Sequence, residues 1–197
     1  MTTSHIARSI SVVSHPFILS AIATLLSASN HHASVALTHE LILIIAVLGF
    51  IAISFSAWHV RTGRWQHVDA VKPHERKVLN GFLAVLMLLS SLLAWRYFPE
   101  PELAYGLLIA GTAIVIALLL SRWLKLSLHS CFAAIAAGIL WPSLIALGIG
   151  IIITAAVYWS RLILQRHTLA ELIAGSASGC VCALVYQVLS AAHYARV

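Results

Sequence analysis

Apolar residues run along this chain in long unbroken blocks, without the alternation of a half-buried strand or the three-to-four spacing of an amphipathic helix. Seven blocks stand out, at approximately 9–28, 41–58, 80–98, 103–121, 129–141, 143–159 and 169–191. A helix that crosses a bilayer needs about 20 mostly apolar residues, within a range of about 17–25. The pattern predicts an all-α polytopic transmembrane bundle of six to seven spans, folded as one domain over residues 1–197. The fifth block is short for a span. Blocks five and six read either as one long helix kinked at Trp141-Pro142 or as two shorter helices.

The polar breaks between blocks are unequal. Residues 59–79, HVRTGRWQHVDAVKPHERKVL, are the most polar stretch, with Pro73 as a helix breaker. SRWLKLSLHS at 121–130 and SRLILQRH at 160–167 are polar again, whereas SASNHHASVALTHE holds no Lys or Arg. If every block spans, ten cations fall on one side: Arg8, Arg61, Arg64, Lys72, Arg76, Lys77, Arg122, Lys125, Arg161 and Arg166. Only Arg96 and Arg196 fall on the other. The positive-inside rule then makes the basic side cytoplasmic.

Composition agrees. The 197 residues are 61% hydrophobic and 9% charged, and the mean hydropathy is +0.96. A soluble domain carries about 25% charged residues, so this chain lacks the material for a polar surface. The net charge of +6 reads as an orientation signal at lipid headgroups, and no aromatic-rich basic patch points to nucleic acid. Cys131, Cys180 and Cys182 lie in apolar blocks without a CxxC and read as packing residues. The first block, broken at His15-Pro16, lacks a small-residue cleavage site and reads as a retained segment. No 20–50 residue repeat is visible.

Six carboxylates are present, and Glu171 is the odd one, at the entrance of the last block, where an unpaired charge is costly. His167 and Glu171 are four apart and share a helix face. A carboxylate on one imidazole nitrogen fixes the tautomer and raises the basicity of the other, which prepares a histidine nucleophile. The bland alternative is a helix-start pair, with Glu171 favouring the dipole. Arg161 and Arg166 flank this pair, and arginine forks suit phosphate oxygens, although interfacial snorkelling accounts for either one alone. Ser127 and His129 in KLSLHS, and Asp69, Lys72, Glu75, Arg76 and Lys77 in DAVKPHER, complete three polar clusters on one side.

Their order resembles the type 2 phosphatidic acid phosphatase superfamily of integral membrane lipid phosphatases, whose pattern is KxxxxxxRP, PSGH and SRxxxxxHxxxD. Ser160, Arg161, His167 and then Glu171 in place of Asp match the third motif. Ser127 and His129 match the second, with Leu126 and Leu128 where Pro and Gly are expected. In the first, Arg76 matches, Lys77 stands for Pro, and Asp69 stands where the lysine belongs. The resemblance is similar to a divergent bacterial branch and covers about residues 60–180.

It implies an inner-membrane enzyme that hydrolyses a lipid phosphomonoester or diphosphate, such as polyprenyl diphosphate, phosphatidate or phosphatidylglycerol phosphate. His167 would form a phosphohistidine, oriented by Glu171, and His129 would act as acid and then base. Arg161, Arg76 and Ser127 would bind the phosphoryl oxygens, with Lys72 or Arg166 replacing the missing lysine. No metal or other cofactor is implied, and the partners are lipid phosphate and membrane lipids. Such a site brings His129 and His167 together only if blocks five and six form a hairpin at Trp141-Pro142-Ser143. The competing reading is a catalytically reduced polytopic protein that binds anionic lipid or partner proteins. A haem or metal protein is a third, resting only on eleven histidines, none of them paired as facing ligands inside spans. Gly175 and Gly179 form a GxxxG that permits close helix approach.

Overall fold

The computed structural model describes residues 3–30, 35–68, 70, 72–98 and 101–195, with the side chains of 27–30 and 35–38 left aside. The described residues form eight helices and no strand. They are α1 (Thr3–Val13), α2 (Pro16–Asn30), α3 (Val35–Arg61), α4 (Pro73–Tyr97), α5 (Pro101–Leu120), α6 (Leu128–Ile139), α7 (Leu144–Ile163) and α8 (Leu169–Tyr194). Five of them, α3, α4, α5, α7 and α8, are long and apolar enough to cross a membrane; α1 and α2 together supply a sixth candidate, bent by 49°. The chain is an integral membrane helical bundle.

The local sequence sets the helix starts. Pro16, Pro73 and Pro101 each open a helix, where the missing N–H costs nothing and φ is already helical. Ser127, Ser143 and Thr168 cap α6, α7 and α8 with their side-chain oxygens. The first apolar block departs from expectation as a single span: the chain breaks at Ser14-His15, because Pro16 cannot extend a helix begun upstream. α1 turns aside and lies against α7, where the Ser160 hydroxyl donates to the Ala7 carbonyl at 2.7 Å.

The expected hairpin is present. α6 ends at Ile139, the chain turns through Trp141-Pro142-Ser143, and α7 returns against it. At 12 residues α6 rises only about 18 Å, short of a bilayer core of about 30 Å, so among the described residues at most six segments are long and apolar enough to cross. Its C-terminal carbonyls are satisfied from α8: the Gln187 amide donates to Gly138 (2.8 Å) and Ile139 (3.1 Å).

α6 is the central post. Every residue from Ser130 to Ala137 is buried, as befits a helix that is apolar all round. One core joins Met87, Leu107, Ile114, Phe132, Ile135 and Tyr186; a second joins Leu19, Ala23, Ala133, Ala136 and Val157 across α2, α6 and α7. Gly175 and Gly179 bear out the close-packing expectation, since a Cβ at either would collide with Ser127, Ser130 or Cys131 of α6. Cys131 and Cys182 are buried packing residues, while Cys180 faces outward. Antiparallel order places the end of α3, the start of α4, the α5–α6 junction and the α7–α8 turn at one end of the bundle.

Candidate functional site

That end carries the three polar clusters. α7 stops in a turn with the Schellman pattern: Arg166 N–H donates to the Arg161 carbonyl (3.0 Å) and Gln165 N–H to Leu162 (3.0 Å). The left-handed position of this turn is held by Gln165, at φ 51°, not by glycine. The turn leaves Arg161 buried on the last turn of α7 and sends Arg166 and His167 over the mouth of α8. A matching Schellman turn closes α3, with Gly63 at φ 70°.

Thr168 and Glu171 then form the capping box of α8. One carboxylate oxygen, Glu171 Oε2, accepts from both Thr168 N–H (3.1 Å) and His167 Nδ1 (2.9 Å). The cap of α8 and the carboxylate–imidazole bond therefore share one oxygen. Because an ionised carboxylate only accepts, Nδ1 carries the hydrogen and Nε2 keeps its lone pair. Burial lowers the His167 pKa below its ordinary 6.5; the Glu171 bond opposes this, and Lys125 and Arg161 push it down further. The balance of these effects favours the neutral imidazole.

An open cleft of about 390 Å³ lies over this pair, lined by Lys125, Leu162, Gln165, Arg166, His167, Thr168 and Glu171. Lys125 reaches in from the α5–α6 junction, and its Nζ donates to the Arg166 carbonyl at 2.6 Å. Partial burial holds the Lys125 ammonium below its ordinary pKa, followed by the charge of Arg76; Arg166 and Arg161 act in the same direction and Glu171 against it. Arg76, on the first turn of α4, is thereby brought within electrostatic reach of the cleft.

His129 stands at the start of α6. The groups that act on it electrostatically are Arg161, His15 and His167, and its ring meets that of His15 edge-on at 5.6 Å. His129 thus lies within electrostatic reach of His167 and Arg161, and Lys125 within reach of Arg76, Arg161, Arg166 and Glu171. Ser127 departs from expectation: it is fully buried, its N–H donates to the Glu171 carbonyl (3.3 Å), and its hydroxyl serves as the α6 cap. Its place is behind the cleft, fastening α6 to α8. Lys72 is exposed and enters the loop structure through its backbone, which donates to the buried Glu75 at 3.1 Å. Asp69 lies outside the described residues.

Two residues were not singled out from the sequence. Lys125 was counted only as an orientation charge, although it sits four positions before His129 on the same junction. His15 was read only as a break in the first block, and no spacing rule connects it to a histidine 114 positions later. Among the described residues no group of three or more His, Cys, Asp or Glu side chains is gathered for a metal ion. No family model, curated protein or solved structure matches the chain. What the site can do follows from its own geometry: a histidine bonded through Nδ1 to a carboxylate, a second histidine nearby, and several cations around Glu171.

Proposed function

We propose that this protein is a lipid phosphate phosphatase of a bacterial inner membrane, similar to the type 2 phosphatidic acid phosphatases. The observation that carries the reading is the 2.9 Å bond from His167 Nδ1 to Glu171, which leaves Nε2 free of that bond on a residue that lines a cleft with Lys125 and Arg166. In this mechanism Nε2 attacks phosphorus, the phosphorus–oxygen bond to the lipid breaks, and His129, protonated beside the bound phosphate anion, gives that proton to the departing oxygen. His129 then takes a proton from water as that water attacks the phosphohistidine, releasing phosphate and restoring His167. Arg76, Arg161 and Arg166 stabilise the charge on the equatorial oxygens, and fixed cations of this kind supply much of such a rate enhancement.

A lipid substrate suits the position of the cleft at one end of a membrane bundle. Exposed Trp58 and Trp123 lie at that end, with the guanidinium groups of Arg64 and Arg122 over their rings at 4.9 and 4.5 Å, the composition of a headgroup interface. The substrate is a phosphomonoester or diphosphate of a lipid. The test is phosphate release by the purified protein from phosphatidate, phosphatidylglycerol phosphate and a polyprenyl diphosphate. His167→Ala and His129→Ala are each expected to lower the rate by at least about 10²-fold. Release unchanged in either variant removes its assigned role. The buried capping role of Ser127 favours a second reading, an anionic-lipid binder without turnover; lipid binding with no release from any substrate would establish it.

A further inference from the structure

The resemblance leaves one charge unaccounted for, because Asp69 stands where a phosphate-binding lysine is expected. We propose that Lys125, on the α5–α6 junction, is a ligand of the terminal phosphoryl group in the His167 cleft. The assignment rests on the phosphatase reading for what the ligand is attached to, not for the contact itself.

Three observations converge on it. Lys125 lines the same cleft as His167 and Glu171, so the three side chains border one space. Its Nζ is fixed by the Arg166 carbonyl at 2.6 Å, which uses one of three hydrogens and leaves two to be donated into the cleft. Finally, the charges around it are unbalanced. Among the described residues, Arg76, Arg161 and Arg166 act on Lys125 with the same sign, and Glu171 is the carboxylate that opposes them. Cations gathered around one carboxylate repel one another, and a multivalent anion between them relieves that repulsion. A lysine that served only to tie the α5–α6 junction to the α7–α8 turn would gain nothing from such company.

The discriminating variant is Lys125→Gln. Its amide still reaches a carbonyl, so the tie to Arg166 is retained in kind while the charge is lost; Lys125→Arg retains the charge. The full chain in zwitterionic detergent is titrated with inorganic phosphate by calorimetry. Lys125→Gln is expected to weaken binding about 10-fold or more and Lys125→Arg by less than about 3-fold, the loss typical of one charge-assisted bond. Unfolding temperatures without phosphate identify any variant damaged in its fold; if Lys125→Gln is, the same comparison is made with Lys125→Arg against Lys125→Met.

Vesicles separate the sources of the group. Loss of binding to phosphatidate, a monoester, with no change towards phosphatidylglycerol, a diester, assigns the contact to a terminal lipid phosphoryl group. Equal loss towards both lipids, no phosphate binding by the native protein, or native affinity in Lys125→Gln overturns the proposal. A protein that binds phosphate through Lys125 yet hydrolyses no lipid phosphate keeps this assignment and loses the phosphatase reading. Hydrolysis indifferent to Lys125 does the reverse.

Discussion

Glu171 does two jobs with one oxygen, and its substitution separates them. Glu171→Gln keeps a side chain of the same size that still accepts from Thr168 N–H, but it removes the charge that supports a protonated His167. The His167 pKa is already below 6.5, so the acid limb of kcat/KM is expected below that value in the native protein. Because the Glu171 bond and charge raise this pKa, their loss moves the limb to still lower pH, while kcat falls by about 10²-fold or more. A pH–rate profile of both proteins checks the sign; a limb that moves towards neutrality contradicts the pairing. At this scale the His167–Glu171 contact was legible, because four residues on one chain segment fix it. The Lys125–Arg166 contact was not, since it joins residues 41 apart and only the hairpin of α6 and α7 brings them together.

Elements decide whether His129 and His167 meet, and the α6–α8 seam is where this is set. Gly175 lies against Ser127 and Ser130, and Gly179 against Cys131, so the backbones touch without intervening side chains. Gly175→Leu wedges the seam open next to the α6 cap. It is expected to cost about 1–3 kcal/mol in stability and to lower phosphate release more than a lipid-facing substitution such as Ile173→Leu. Unfolding in detergent micelles and activity read the two effects. The α7–α8 turn offers the opposite test. Gln165 occupies a left-handed position that costs a non-glycine residue about 1 kcal/mol, so Gln165→Gly is expected to stabilise the protein by up to about that amount. A lower unfolding temperature in that variant would mean that the Gln165 side chain, which lines the cleft, contributes more than its backbone costs. Trp141-Pro142 marked a break but fitted a kinked helix as well as a hairpin, and only the need to bring His129 and His167 together chose the hairpin; Pro16 signalled the α1–α2 break. Hydropathy blurred the second, because both sides of the break are apolar.

At the scale of the whole molecule the charges predict which face of the membrane the cleft meets. The cleft end carries ten cations. Four of them, Arg76, Lys125, Arg161 and Arg166, surround the candidate site and would be there on either face. The other six, Arg8, Arg61, Arg64, Lys72, Lys77 and Arg122, have no share in the cleft lining, and at the opposite end the described residues hold Arg96 alone. By the positive-inside rule, an excess of this size, counted only over charges without a chemical reason to be present, predicts a cytoplasmic cleft end. Gln66, exposed on the loop between α3 and α4, and Tyr97, exposed at the far end of α4, report the two faces. With the native cysteines replaced, Gln66→Cys is expected to resist a membrane-impermeant thiol reagent in intact cells and to react in inverted vesicles, and Tyr97→Cys to do the opposite. Labelling of Gln66→Cys in intact cells would turn the cleft outward. The six remaining cations would then need a role at that surface, such as holding anionic lipid at the mouth of the cleft, and the substrate would have to be one presented in the outer leaflet.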